Sequence, residues 1–144
     1  HSTCSFDLYA DLSGCGYPCT SDIFQNSRPD IVVKIDSKII VLELTVCFDT
    51  NTEKSRNYKQ DRYKNLKEEL LIQCDEFEII YLEITTLGYI SKASYKQFNS
   101  FLSQLEINQN RTISKCIETA IRASYFIFCR RNKTWSDCEL LNFY

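Results

Sequence analysis

The pattern of hydrophobic and polar positions changes period several times along the chain, and each change marks an element. FDLYADL (residues 6–12) alternates and predicts a short strand. Residues 14–29 hold most of the three Gly and both Pro, and read as one long irregular segment. DIVVKID and KIIVLELTVC follow, two β-branched-rich runs parted by a polar turn near Ser37, and they predict a hairpin. Residues 53–73 read as a helix, with Asp49 or Thr50 and Asn51 available as caps. FEIIYLEITT (residues 77–86) is apolar enough to predict a strand buried on both faces. A strand, a helix and a second strand in series imply a right-handed crossover to a parallel neighbour. Residues 91–105 and 109–131 predict two more helices, and the tail around Trp135 is expected to pack back on the domain. The fold class is therefore α/β, with a central mixed sheet of about four or five strands flanked by helices.

Length and composition suit this picture. A chain of 144 residues with 44% hydrophobic content can bury one core, so residues 1–144 are expected to form a single domain. No apolar run is long enough to span a membrane, and no signal-peptide pattern opens the chain. The absence of Met reads as a fragment of a longer polypeptide.

Charge and cysteine change the picture less. The net charge of −2 lacks the basic excess that usually marks a free-standing DNA binder. Locally, however, Lys54, Arg56, Lys59, Arg62, Lys64 and Lys67 crowd one segment, and Arg122, Arg130, Arg131 and Lys133 another. Each run reads either as part of a basic stripe or as a solvated helix face. Eight cysteines occur without a CxxC pair. Cys47, Cys74, Cys116 and Cys129 sit among apolar residues and read as small buried hydrophobes. His1, Cys4, Cys15 and Cys19 form a possible four-ligand set, but its loose spacing argues against zinc.

The chemistry lies in the hairpin and the helix after it. A turn at Asp36-Ser37 sets Asp30 opposite Glu43; a turn at Ser37-Lys38 sets it opposite Thr45. Side chains alternate with period two, so Asp30, Glu43 and Thr45 share one face in either register. Two acids on one face repel unless neutralised, and a divalent cation with hard oxygen ligands, Mg²⁺ or Mn²⁺, would neutralise them. Glu43 interrupts an otherwise apolar strand, which costs stability unless something compensates. The alternative is an edge strand with Glu43 in water, or a pairing with a nearby Arg or Lys. On the helix, Lys59, Tyr63, Leu66 and Leu70 form one stripe expected to face the sheet. That places Lys59 beside the acids, where it can orient an attacking water or stabilise charge on a cleaved phosphodiester. Lys54, five positions earlier, is expected to point away.

Read as text, residues 28–66 resemble the PD-(D/E)XK nuclease signature. The nearest likeness is to the restriction-like endonuclease domain of non-LTR retrotransposon polyproteins of invertebrate type, carried by ADLSG (10–14), RPD (28–30) and ELTV (43–46). The likeness covers about residues 9 to 85. It implies a restriction-endonuclease-like core and a Mg²⁺- or Mn²⁺-dependent DNA endonuclease. Asp30 and Glu43 would be metal ligands and catalytic residues, with Lys59 as the catalytic cation. Arg28, Arg62 and Tyr63 would contact DNA; separately, Asp7 or Asp11 on the first strand could supply a further carboxylate. Thr45 departs from the common pattern, which has Lys two residues after the second acid; the retroelement branch resembles this chain in moving the Lys to the next helix. The resemblance also implies nicking of a genomic target in the nucleus, with RNA contacts left to flanking domains. A second expectation is an inactive nuclease-fold module that binds nucleic acid or a protein partner.

Overall fold

The computed structural model describes residues 5–131. Four strands form one mixed sheet in the order β1-β2-β3-β4: β1 (Asp7–Ala10), β2 (Ile31–Ile35), β3 (Lys38–Cys47) and β4 (Glu76–Thr85). The first two pairings are antiparallel and the third is parallel. Three helices flank the sheet: α1 (Thr52–Tyr63), α2 (Lys92–Gln104) and α3 (Gln109–Arg130).

The hairpin takes the first of the two registers. Ile35 pairs with Lys38 and Ile31 with Leu42, leaving Asp36-Ser37 as the turn. Asp36 carries φ of +49°, a left-handed conformation that Asp tolerates better than most residues. The parallel partner of β3 is β4, reached through α1 as the strand–helix–strand order implied.

Alternation along β3 divides the core in two. Ile40 and Leu42 pack with Ile80, Leu82 and the α2 residues Phe98, Phe101 and Leu102. Ile39 and Val41 pack on the opposite face with Val32, Tyr63, Leu66, Ile23 and Phe24. By the same alternation, Glu43 and Thr45 on β3, with Tyr81 and Glu83 on β4, belong to the α1 face. A hollow of about 760 Å³ opens on the other face, lined mainly by apolar side chains such as Leu8, Val33, Leu42 and Phe101. The acid pair is not part of it.

Three expectations need correction. The helix expected over 53–73 ends at Tyr63, and a 3-10 turn follows at Leu66–Glu69. Residues 69–71 pair instead with the irregular segment, Leu71 N–H donating to the Ile23 carbonyl (2.7 Å) and Gln25 N–H to that of Glu69 (3.3 Å). These tertiary hydrogen bonds replace the helical ones. Burial of β4 on both faces holds only for its last residues, Leu82 to Thr85. Cys129 is exposed, and Cys47, Cys74 and Cys116 are only partly buried. Cys129 lies in the second half of α3, beyond Ala120, where Tyr125 and Phe128 are exposed as well. Trp135, Lys133, His1 and Cys4 lie outside the described residues.

Candidate active site

Three elements bring their residues to one point. Asp30 stands one residue before β2, Glu43 is in β3 and Lys59 projects from the second half of α1. The hairpin register puts the two acids side by side, and they are linked directly. The Asp30 backbone N–H donates to Glu43 Oε1 at 3.1 Å, and the Leu44 N–H donates to Asp30 Oδ2 at 2.8 Å. Lys59 Nζ then bridges both side chains, 2.5 Å from Glu43 Oε2 and 3.3 Å from Asp30 Oδ2. Glu43 is 1% exposed although β3 is a central strand, so the ammonium supplies the compensation that such burial demands. The Asp30 side chain is 40% exposed and forms the open side of the cluster.

Electrostatics follow from this geometry. Burial, reinforced by the Asp30 charge, raises the Glu43 carboxyl above its ordinary range despite the Lys59 bond. Burial works against the Lys59 charge too, but the Glu43 hydrogen bond and both carboxylates outweigh it and raise the ammonium. Lys59 is therefore a fixed positive charge beside two acids at neutral pH.

No family model matches the chain, and no curated protein is recognisably similar to it.

The other expected residues take varied positions. Tyr63 is 2% exposed, its hydroxyl donating to the Arg28 carbonyl at 3.4 Å. Its ring is a wall of the site rather than a surface for DNA, with Lys59 Nζ 5.9 Å and Arg62 Cζ 5.2 Å from the ring centroid. Arg62 is exposed. Arg28 is exposed as well and pairs with Asp11 at 2.5 Å, which occupies the Asp11 carboxylate. The Asp11 backbone N–H still donates to the Asp30 carbonyl (3.0 Å) and ties the end of β1 to the site. Asp7 pairs with Lys34 at the far end of β1 and is no part of the cluster. Thr45 shares the face of Glu43, as either register required. Lys54 is exposed. Cys15 and Cys19 are free thiols.

A second cluster went unread in the sequence. Arg56 engages Glu83 with two nitrogens, Nε to Oε1 at 3.0 Å and Nη2 to Oε2 at 2.8 Å. It also donates to Ser94 Oγ at 2.6 Å, and the Ser94 hydroxyl donates to Glu83 Oε2 at 2.7 Å. Two signals pointed to it. Glu83 interrupts YLEITT much as Glu43 interrupts VLELTV, and Arg56 lies three residues before Lys59 on the same helical face.

The donor set at Asp30 and Glu43 fits a hard divalent ion. Among the described residues no three His, Cys, Asp or Glu side chains gather in one place. A pair of carboxylates, one of them facing solvent, suits Mg²⁺, which keeps several waters and binds through one or two carboxylates plus substrate phosphate.

Proposed function

We propose that the chain is a divalent-metal-dependent endonuclease with a restriction-endonuclease-like core, hydrolysing phosphodiester bonds in DNA. One observation carries this reading: Asp30, Glu43 and Lys59, from three separate elements, converge within hydrogen-bond distance on one face of the sheet. The order of elements is consistent with it, since an antiparallel hairpin bearing both acids leads through α1 to a parallel strand. Within a retroelement protein in the nucleus, the cut would be a nick at a genomic target.

Asp30 and Glu43 would hold Mg²⁺ or Mn²⁺, which when bound supplies a Lewis acid at the phosphate and lowers the pKa of a coordinated water. Lys59 keeps its proton and offers it as a hydrogen bond to the phosphate oxygen that gains charge, or to the attacking water. Buried Tyr63 excludes solvent on one side of that ammonium. Arg28 and Arg62, both exposed, would contact flanking phosphates without reading base sequence, Arg28 leaving its Asp11 partner to do so.

The test is nicking of supercoiled plasmid in Mg²⁺ or Mn²⁺ with a chelator control. The wild type is expected to produce metal-dependent open circles, and Glu43→Gln none. Two observations favour a second reading, a nuclease-fold module that binds nucleic acid or a protein partner without cutting. Lys59 and two backbone N–H groups already neutralise the acids, and Thr45 stands where the common motif has Lys. Stoichiometric DNA binding with no cleavage in either metal would select that reading.

A further inference from the structure

From Thr52 to Arg62, α1 has no apolar stripe: every side chain is polar or charged except Tyr58, which is exposed. Within the helix only Tyr63, its last residue, is buried. Apolar burial, the usual force that docks a helix, therefore anchors α1 at its last residue alone and adds nothing along the turns before it. Two cations reach from those turns to the sheet, Arg56 to Glu83 on β4 and Lys59 to Glu43 on the adjacent strand β3. The two attachments differ in stiffness. Arg56 presents a planar fork to both oxygens of Glu83 and adds Ser94 Oγ and, at 3.4 Å, the Tyr81 carbonyl. Glu83 is 2% exposed and Ser94 is fully buried, so this joint has little freedom to slide or turn. Lys59 ends in a single rotatable ammonium on a four-carbon stem, and cannot define the helix position alone.

We propose that Arg56 is the positioning residue of the site. Its bidentate grip on Glu83, braced by Ser94 at the start of α2, fixes the rotation and height of α1 and so holds Lys59 Nζ between Glu43 and Asp30. The claim about rate rests on the nuclease reading; the claim about Lys59 placement does not need cleavage to be observed.

The experiment follows the Lys59 ammonium by ¹⁵N NMR, its resonance assigned by loss in Lys59→Met. The main variant is Arg56→Met/Glu83→Leu, because replacing a whole buried ion pair with apolar side chains is often neutral for stability. Ser94 keeps Ser91 Oγ, 3.0 Å away, as a partner. With the amide spectrum of the core preserved, the Lys59 resonance is expected to shift or broaden away. Arg56→Lys, which keeps charge but loses the fork, is expected to move it less. In cleavage, the double variant should lose about a hundredfold in kcat with KM little changed, the cost typical of a displacement near 1 Å. An unmoved Lys59 resonance in the folded double variant overturns the proposal, and if that variant does not fold, the same signal in Arg56→Lys decides. A wild type that never cleaves defeats the nuclease reading alone, since the resonance still reports on the positioning.

Discussion

Two acid–cation clusters lie on one face of the sheet and are built from the same parts, yet they end in opposite states. At Glu83 the partner is a forked guanidinium, a serine completes the network, and the acid, the serine and most of the arginine are removed from water. At Glu43 the partner is a single ammonium, and the third member, Asp30, has 40% of its side chain in solvent. The first arrangement is saturated and has nothing left to offer a ligand. The second keeps one carboxylate accessible and a single ammonium within reach. Equal burial of two glutamates thus says little about use; what separates a joint from a site is whether their partners leave a side open.

This contrast can be broken in several ways. The largest effects should appear in cleavage. Glu43→Ala and Asp30→Ala are each expected to abolish nicking, and Lys59→Ala to slow it by at least about a hundredfold, as when one electrostatic stabiliser is removed. Lys54→Ala, whose side chain is exposed, should retain most of the rate. Plasmid-nicking time courses measure all four, and full activity in Glu43→Ala would remove the site assignment.

Stability should rank the clusters in reverse. Arg56→Ala strips buried Glu83 of its cation, a loss costing about 3–5 kcal/mol. Lys59→Ala should cost less, because water can enter past Asp30. Urea unfolding of both variants gives the comparison, and equal losses would erase the distinction between joint and site.

Alkaline pH sharpens the same point. The folded state raises the Lys59 ammonium above its ordinary 10.5, so folding favours the protonated form. That contribution is fully present below pH 10.5 and is lost as pH rises through the folded value. The difference in melting temperature between wild type and Lys59→Met should therefore be constant near neutrality and shrink in strong alkali. A difference that grows there instead would contradict the sign.

The smallest effect concerns the exposed cations. With a net charge of −2, the chain is expected to bind duplex DNA weakly and mostly through phosphates. Arg28→Ala should flatten the slope of log affinity against log salt by about one, uniformly across sequences. Binding that ignores salt would argue for a partner other than DNA.

Much of this was legible beforehand because the hairpin obeys a strict period. Once IVVKI and KIIVLELTV are read as paired strands, alternation alone puts Asp30, Glu43 and Thr45 on one face, and either turn gives that result. Lys59 was legible for a related reason: it heads a stripe with Tyr63, Leu66 and Leu70 that was expected to face the sheet, and the Lys59–Tyr63 part holds although α1 ends at Tyr63 and Leu66 falls in the 3-10 turn after it. The end of α1 was not legible. Nothing in YKNLKEELL announces that Leu71 will bond to Ile23, a residue nearly fifty positions away, since helical periodicity is blind to a competing tertiary pairing. Cys129 was misread because apolar neighbours along a helix do not tell where the sheet beneath it stops. Arg56 escaped by looking like one more solvated charge in a basic run. Its partner sits on the next strand, and only the parallel register of β3 and β4 brings the two together.

The two-residue turn at Asp36-Ser37 imposes a parity rule on this gene segment. Lengthening the turn leaves the pairing of Ile35 with Lys38 intact and both acids on their face. A single codon gained or lost within residues 31–35 or 38–42 instead sends one acid to the opposite side of the sheet, while a change of two restores the face. A library of in-frame insertions should therefore sort into survivors and failures by even and odd length inside the strands, with the turn alone indifferent. Drift in this hairpin is then constrained less by which residues it carries than by how many.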